Sequence, residues 1–204
     1  MTIDPQDILN SILSSLERID YIKPKDIPGI DLYMDQVTTF MEEHLQSSKR
    51  YPEDKILTKT MINNYAKNHL LPSPEKKKYS KEHMLVLIFI YYYKGILSIG
   101  DIQSLLQPLT DRYFQTAGPL NMESIYEEVF SLEKSQVEKM KQDVIEKYRI
   151  ASDTFPEAAA EDQQFLQIFS FICLLSFDIY VKKQVIEKLI DELPKKESEK
   201  KHKD

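Results

Sequence analysis

The sequence predicts an all-α protein. Apolar residues recur at helical spacing in nearly every periodic segment of the 204-residue chain, and prolines separate several of these segments. The four glycines are not clustered, so the chain offers no glycine-rich loop of the kind that holds phosphate. A hydrophobic content of 42% is sufficient for a packed core. These observations favour helices that pack on other helices.

The first half of the chain is expected to form helices separated by proline-containing breaks. A helix over residues 5–19 is followed by a linker over 22–30, which contains Pro and Gly. A second helix is expected over 31–45. The next, over 57–69, begins at Thr58, whose hydroxyl can accept an otherwise unpaired backbone N–H. Two prolines shortly after residue 69 prevent this helix from continuing.

The next two helices are marked by their capping residues. Ser80 caps a helix that is apolar nearly all round, which predicts the buried centre of its module. Gly95 ends that helix. Ser98 and Asp101 form an approximate capping box for the following helix, which Pro108 is expected to close.

The C-terminal half is expected to contain two long helices, over residues 121–151 and 160–193. The second carries apolar residues at a strict spacing of seven, which is typical of helices that pair along a seam. This seam predicts a homodimer or a pairing within the chain, and the sequence leaves both open. The charged end, 194–204, is expected to be disordered. The seam residues are Phe165, Ile172, Ile179, Ile186 and Leu193.

We expect the protein to be cytoplasmic. It has one cysteine, Cys173, and no basic leader at its start. Its longest apolar run, 165–181, contains Gln167 and Asp178 and is short for a membrane span. We therefore expect a core or interface helix in this region and no membrane partner.

No catalytic residue, metal site or cofactor is expected. A single cysteine excludes an internal disulfide and a cysteine-rich zinc site. His69 and His83 flank a lysine cluster, but two histidines alone make a poor metal site. The chain contains no nucleophile elbow and no Ser–His–Asp order, so an enzyme is the least supported class of protein.

The distribution of charge is uneven. The net charge of the whole chain is −6. Residues 49–94 nevertheless contain ten basic and four acidic side chains, a local balance of +6. A basic module within an acidic protein predicts an anionic partner for that module. The alternative is a set of lysines that only solvates the surface.

The helix over 57–69 has a polar outer face that suits contact with DNA. In a helix-turn-helix, two helices are joined by a short turn and the second enters the major groove. Amide side chains such as those of Asn63 and Asn64 can bond both N6 and N7 of adenine. The lysines of the following loop would form a wing on the phosphates. The predicted DNA contacts are Thr58, Lys59, Thr60, Asn63, Asn64, Tyr65, Lys67, Lys76, Lys77, Lys78 and Tyr79.

The segment that carries these residues resembles the MerR-type winged helix-turn-helix. The resemblance rests on Leu70-Leu71-Pro72 after the polar helix, Tyr79-Ser80 at the end of the basic wing, and Leu97-Ser98-Ile99 before a helix that contains Leu105-Leu106. A longer span, about 28–107, is similar to a bacterial family of uncharacterised proteins that carries this module.

Three residues depart from the MerR pattern. Asn63 stands where an arginine that contacts phosphate is usual, and Asn64 replaces an aromatic residue. His69 stands where a glycine normally adopts the left-handed conformation at the end of the helix. The pattern itself is retained, while the DNA sequence that is recognised is expected to differ.

The resemblance implies a dimeric regulator that binds double-stranded promoter DNA, with a MerR-like winged module followed by long C-terminal helices. Residues 1–27 would form an N-terminal helix and linker, 28–108 the winged helix-turn-helix, 109–193 a region for dimerisation or an effector, and 194–204 a tail. A protein-interaction adaptor, or a small-molecule sensor that does not bind DNA, is the alternative. The operator and the effector are not specified by the sequence.

Overall fold

The computed structural model describes residues 5–17 and 21–194, which are mostly helical, as the sequence predicts. The tail that is expected to be disordered, 194–204, lies outside the described residues except for Pro194. The elements are α1 (Pro5–Glu17), β1 (Leu32–Tyr33), α2 (Met34–Leu45), α3 (Lys59–Lys67), β2 (Lys78–Tyr79), α4 (Lys81–Tyr93), α5 (Ile99–Tyr113), α6 (Met122–Lys134), α7 (Val137–Ser152) and α8 (Ala160–Asp191).

The chain divides into two compact units. The first comprises Met1–Ile22 and Glu127–Gln184, and the second comprises Lys23–Tyr126 and Val185–Asp204. The second unit therefore holds α2 to α5 and both strands, which carry all the predicted DNA contacts.

The core of the second unit is centred on α4. Every residue from His83 to Ile90 is buried, which confirms the expectation from its apolar sequence. The helix begins with a reciprocal cap, in which the Ser80 backbone N–H donates to His83 Nδ1 at 3.0 Å. Burial of a large apolar side chain stabilises a fold by about 1.5–3 kcal/mol. Fully buried side chains from the neighbouring helices are Val37, Met41, Ile62 and Ile102.

A pair of short strands joins α2 to the loop after α3. The strands are antiparallel, with Leu32 opposite Tyr79 and Tyr33 opposite Lys78. The predicted helix over 31–45 therefore begins only at Met34, because Leu32 and Tyr33 make inter-strand hydrogen bonds instead. Such a pairing joins residues far apart in the sequence, so no local pattern indicates it.

The connection between α2 and α3 is longer than the short turn that the helix-turn-helix pattern predicts. It extends over residues 46–58 and begins with a 3₁₀ turn, Gln46–Ser48. Its last part is anchored, since Ile56 and Leu57 are buried and Lys94 Nζ donates to the Ile56 carbonyl at 2.5 Å. The apolar residues of this connection therefore belong to the core, which the helix-turn-helix pattern does not predict.

Pro108 does not close its helix, contrary to expectation. It lies inside α5, which continues to Tyr113. A proline within a helix removes the bond from its own nitrogen to the carbonyl four residues earlier, here that of Ser104. Ser104 and Pro108 are both exposed, so water can reach that carbonyl.

The single helix expected over 121–151 is two helices, α6 and α7. The break lies at Ser135–Gln136, where the Ser135 hydroxyl donates to the Leu132 carbonyl at 2.7 Å. A serine side chain that bonds to nearby backbone offers an alternative to helical hydrogen bonding. The apolar period continues across the break, which is why the sequence suggests one helix.

In the first unit, α1 packs on α7, and one face of α8 contacts α7. The Tyr148 and Phe171 rings meet edge to face at 5.6 Å, and Gln167 Nε2 donates to the Ser152 carbonyl at 2.6 Å. Asp178 pairs with Lys147 at 2.9 Å, and this hydrogen bond lowers the pKa of the Asp178 carboxyl. The one carboxylate in the middle of the apolar run thus has a partner.

The other face of α8 is exposed and apolar. Exposure reaches 67% for Phe165, 54% for Ile172 and 64% for Ile179. Among the described residues, α8 is the one helix that is long and apolar enough to cross a membrane, and 6% of its most apolar window is buried. A single helix of this kind is weak evidence for a membrane span.

Candidate nucleic-acid interface

The exposed surface of α3 is a continuous polar stripe. Thr60, Asn63, Asn64 and Lys67 are all exposed, and their spacing of i, i+3, i+4 and i+7 places them on one side of the helix. A nine-residue helix is roughly 14 Å long. The major groove of B-DNA, about 12 Å wide, accepts a helix of this kind.

The start of α3 is fixed by its predicted cap. Thr58 Oγ1 accepts a hydrogen bond from the Met61 backbone N–H at 3.2 Å, which confirms the expectation. The Thr58 side chain is half-buried, and Lys59 follows it on the surface. The Thr58 oxygen therefore stabilises the start of the helix.

The end of α3 has the left-handed residue that the sequence predicts. His69 has a φ of 57°. The Leu70 N–H donates to the Tyr65 carbonyl at 2.9 Å, and the His69 N–H donates to the Ala66 carbonyl at 3.2 Å, which together form a Schellman motif. A residue other than glycine costs about 1–2 kcal/mol in this conformation.

The wing is a tight hairpin with two lysines at its tip. Glu75 and Lys78 face each other across it, and the Lys78 N–H donates to the Glu75 carbonyl at 2.8 Å. Lys76 and Lys77 have φ values of 49° and 65°, which two-residue hairpins of type I′ require at both central positions. Asn-Gly is the usual choice there, so the two lysines hold a strained backbone. Strain of this kind is concentrated at functional sites.

Two tyrosines in the predicted contact set are buried. Tyr65 is 8% exposed and Tyr79 is 3% exposed, and burial raises the pKa of both phenols. The Tyr79 ring meets the edge of the His83 ring at 5.6 Å. Both side chains therefore pack beneath α3 and the wing. The prediction that they contact DNA is corrected, because they are core residues. The apolar spacing of Ile62 and Tyr65 already indicates this for α3.

The basic charge of residues 49–94 is partly neutralised by carboxylates from other segments. Three lysines form ion pairs of this kind, while Lys67, Lys76 and Lys77 have no carboxylate partner in the part of the chain that the structure describes. Lysines without a carboxylate partner therefore lie at the end of α3 and at the tip of the wing. The three pairs are Lys49 with Glu42, Lys59 with Asp35, and Lys81 with Glu123.

The pair between Lys59 and Asp35 lies on the surface. Both side chains are more than half exposed. Exposed ion pairs contribute about 0–1 kcal/mol, so a phosphate can displace the carboxylate.

Two contacts, one beneath the wing and one before α3, are not indicated by the sequence. Lys78 Nζ lies 5.3 Å above the Tyr33 ring, an arrangement that the strand pairing creates. Lys94 anchors the residues before α3, and burial lowers the pKa of its ammonium. Both contacts join distant parts of the sequence, and no local motif signals them.

A comparison with protein families gives one match. The model of a domain of unknown function, DUF1836, matches residues 22–129, just over half of the chain. The matched region includes α2 to α5, both strands and the first part of α6. No curated protein and no solved structure matches the chain.

Proposed function

The chain belongs to the DUF1836 family, and we propose that it is a DNA-binding transcriptional regulator that uses α3 and the wing as a winged helix-turn-helix. The observation that carries the proposal is the polar stripe of α3 together with the strained lysine hairpin that follows it. The hairpin holds two lysines in a strained conformation, and both features expose groups that DNA binds.

In this proposal the two features have different tasks. Asn63 and Asn64 read base edges, because a bidentate amide–adenine contact discriminates by about 1–3 kcal/mol. Lys76 and Lys77 contact phosphates, which fixes position without reading sequence. Lys67 and Lys59 add phosphate or guanine contacts at the two ends of the helix.

The proposed division of tasks is tested by substitution. Asn63→Ala and Asn64→Ala should relax base preference at individual positions of the site. Lys77→Ala should weaken binding to all duplexes and make the salt dependence shallower, because it removes one released counterion. Fluorescence anisotropy with labelled duplexes over a salt series measures both. Lys139→Ala, which removes an exposed lysine of α7, is the matched control. Unchanged binding in all three test variants would show that the surface is wrongly assigned.

The regulator is proposed to act as a homodimer through the exposed face of α8, here called the α8 stripe. The stripe consists of exposed residues opposite the α7-facing side of α8. Each exposed aromatic ring can bury on the order of 100 Å² of accessible surface. Two paired stripes would therefore bury roughly 1,000 Å² in total, the size at which specific interfaces begin. The α8 stripe comprises Phe165, Phe169, Ile172, Cys173, Ser176, Phe177 and Tyr180.

The predicted heptad seam matches this stripe only in part. Phe165 and Ile172 lie on it, and Ile179 and Ile186 flank it as exposed residues. Leu193 follows the last helical residue, Asp191, and is half-buried, so it lies outside the proposed interface.

The charges at the two ends of the stripe favour antiparallel pairing. Glu161 and Asp162 precede it, Lys183 follows it, and no charged residue lies between Gln163 and Phe177. Antiparallel helices bring the acidic end of one copy to the basic end of the other, whereas parallel helices bring like charges together. The two-fold axis would pass near Ile172 and Cys173.

We place this regulator in the cytoplasm, where it meets DNA. A second copy, rather than lipid, is the proposed cover for the α8 stripe. The ion pair between Asp178 and Lys147 joins the opposite side of α8 to α7.

A further inference from the structure

The two short strands each present one side chain to the surface beside the wing. Successive residues of a strand point to opposite faces, and Leu32 and Tyr79, which lie opposite each other, are both buried. The other opposed pair, Tyr33 and Lys78, therefore lies on the outer face of the strands. Tyr33 is more than half exposed. It lies outside both the polar stripe of α3 and the wing, so neither feature accounts for this exposed ring.

The ammonium group of Lys78 is held over the ring of Tyr33. Its Nζ lies 5.3 Å from the ring centroid. Directly opposed residues of an antiparallel pair have Cβ atoms roughly 5 Å apart, so the strand pairing brings this contact about. Within residues 5–17 and 21–194, Lys78 has no carboxylate partner. A neutral ring thus orients this cation without cancelling its charge.

The backbone at Tyr33 is fixed from two sides. The Tyr33 N–H donates to Gln36 Oε1 at 2.9 Å, at the start of α2. Leu32 and Tyr33 also pair with the strand that ends the wing. The ring is therefore presented by ordered elements, and a ligand that meets it does not have to order the chain first.

Tyr33 lies between the start of α3 and the tip of the wing. Two residues along the chain, Asp35 forms an ion pair with Lys59, the first residue of α3. On the partner strand, Lys78 directly follows Lys77, which lies at the tip. The outer pair thus connects the two parts of the proposed DNA surface, and the one carboxylate beside it is already paired.

We propose that Tyr33 is a further DNA contact, whose phenol hydroxyl donates to a backbone phosphate that Lys78 also contacts. Tyrosine and lysine side chains both bind DNA phosphates. The positive charge of the pair and its continuity with α3 and the wing favour DNA as the partner. A contact of this kind fixes the position of the module on the duplex and does not read sequence. The inference rests on the proposed function, because it extends the same surface.

Fluorescence anisotropy with labelled duplexes over a salt series separates the tasks of the two side chains. Tyr33→Phe keeps the ring beneath Lys78 and removes only the hydroxyl, so DNA affinity should fall by about threefold to tenfold on every duplex. The slope of log affinity against log salt should stay the same, because no charge is lost. Lys78→Gln should instead reduce the steepness of that slope by about 0.9.

A double-mutant cycle shows whether the ring positions the lysine. Tyr33→Leu removes the ring, so the Lys78 ammonium loses its support and contributes less to binding. We therefore expect Lys78→Gln to cost less affinity in the Tyr33→Leu background than in the parent chain. Equal costs in the two backgrounds would overturn the positioning of Lys78 by Tyr33.

Tyr51→Phe is the matched control. Tyr51 is also an exposed tyrosine with a cation over its ring, since the Arg50 guanidinium lies 5.1 Å from the ring centroid. The wing joins the start of α4, whereas Tyr51 lies near its other end, because Ser48 bonds to the hydroxyl of Tyr91 in the last turn of that helix. Loss of the Tyr51 hydroxyl should leave DNA affinity unchanged.

Failure of this contact and failure of the proposed function give different results. If Lys77→Ala weakens binding while Tyr33→Phe does not, or if Tyr51→Phe costs as much affinity as Tyr33→Phe, Tyr33 makes no phosphate contact and the rest of the surface stands. A loss of stability in Tyr33→Phe, measured by chemical denaturation, would likewise assign its effect to folding. A parent chain that binds no duplex would contradict the proposed function and this contact together.

Discussion

Lys76 and Lys77 combine backbone strain and positive charge at the same two positions of the wing. Replacing them with Asn and Gly supplies the residues that a type I′ turn favours. We expect this double variant to gain about 1–2 kcal/mol in the free energy of unfolding, because the left-handed conformation is relieved. It should nevertheless bind DNA more weakly, because two phosphate contacts are lost. Chemical denaturation and anisotropy measure the two effects.

The control for this variant is Lys76→Gln with Lys77→Gln. It removes the same charge but retains two residues with a β-carbon, so it should lose DNA affinity without gaining stability. If the Asn-Gly variant instead bound DNA as tightly as the parent chain, the wing lysines would have no role in binding.

His83 is expected to make the stability of the second unit depend on pH. Burial lowers the pKa of its imidazole, while the Pro72 and Ser73 carbonyls and Asp31 oppose this effect. Nδ1 accepts from the Ser80 N–H, so protonation there breaks the cap of α4. Because the pKa is lower in the folded state, stability is complete above the unfolded value of about 6.5 and falls as the pH drops below it.

The measurement is the free energy of unfolding between pH 5.5 and pH 7.5. The loss should approach, at most, about 1.4 kcal/mol per pH unit. His83→Gln is the matched variant, because glutamine is a usual partner in a capping box and does not titrate. An equal pH dependence in the variant would assign the effect to other groups.

Among the helices, α8 is the one whose proposed role, dimerisation, is most readily tested. Ile172→Glu introduces a charge at the centre of the stripe and should convert the dimer to monomer in sedimentation measurements. Leu132→Glu, which changes an exposed apolar residue of α6, should leave the dimer intact. A parent chain that is monomeric at micromolar concentration would contradict the proposed interface.

Cross-linking distinguishes the direction of the pairing. In an antiparallel dimer the single Cys173 lies near the two-fold axis, so a short thiol cross-linker should join two copies. Moving the cysteine to residue 162, with Asp162→Cys and Cys173→Ser, should abolish this product, since those ends lie roughly 30 Å apart. Cross-linking from residue 162 would instead indicate parallel helices.

Local sequence signals predicted the elements that depend on local interactions. The cap at Thr58, the buried helix after Ser80 and the left-handed His69 all agree with their sequence patterns. The features that were missed depend on long-range contacts or on competing bonds. Leu32 and Tyr33 pair with the wing, and Ser135 bonds to the backbone where the apolar period suggests one helix.

The candidate site could be predicted only as far as residue type and spacing specify it. The polar stripe of α3 follows directly from helical spacing. The burial of Tyr79 does not, because it depends on the packing of β2 against α4. The pairing of Lys59 with Asp35 could not be predicted either, because it depends on the packing of α2 beside α3.

Across the whole molecule, the charge favours selective contact with DNA through one surface. The chain is acidic overall, and three carboxylates neutralise lysines around the module. Uncompensated lysines remain at the end of α3 and on the wing. A net negative charge opposes nonspecific attachment to DNA, so the proposed binding would depend on contacts made by this one surface.

Selection of bound duplexes from a random DNA pool, at low and at moderate salt, shows directly whether the protein recognises a DNA sequence. We predict an enriched motif that persists at moderate salt, in the form of an inverted repeat if the α8 dimer binds two half-sites. Retention that shows no enriched motif and disappears as salt rises would contradict the account. The lysines would then form a general basic patch, and the search would turn to an acidic protein partner.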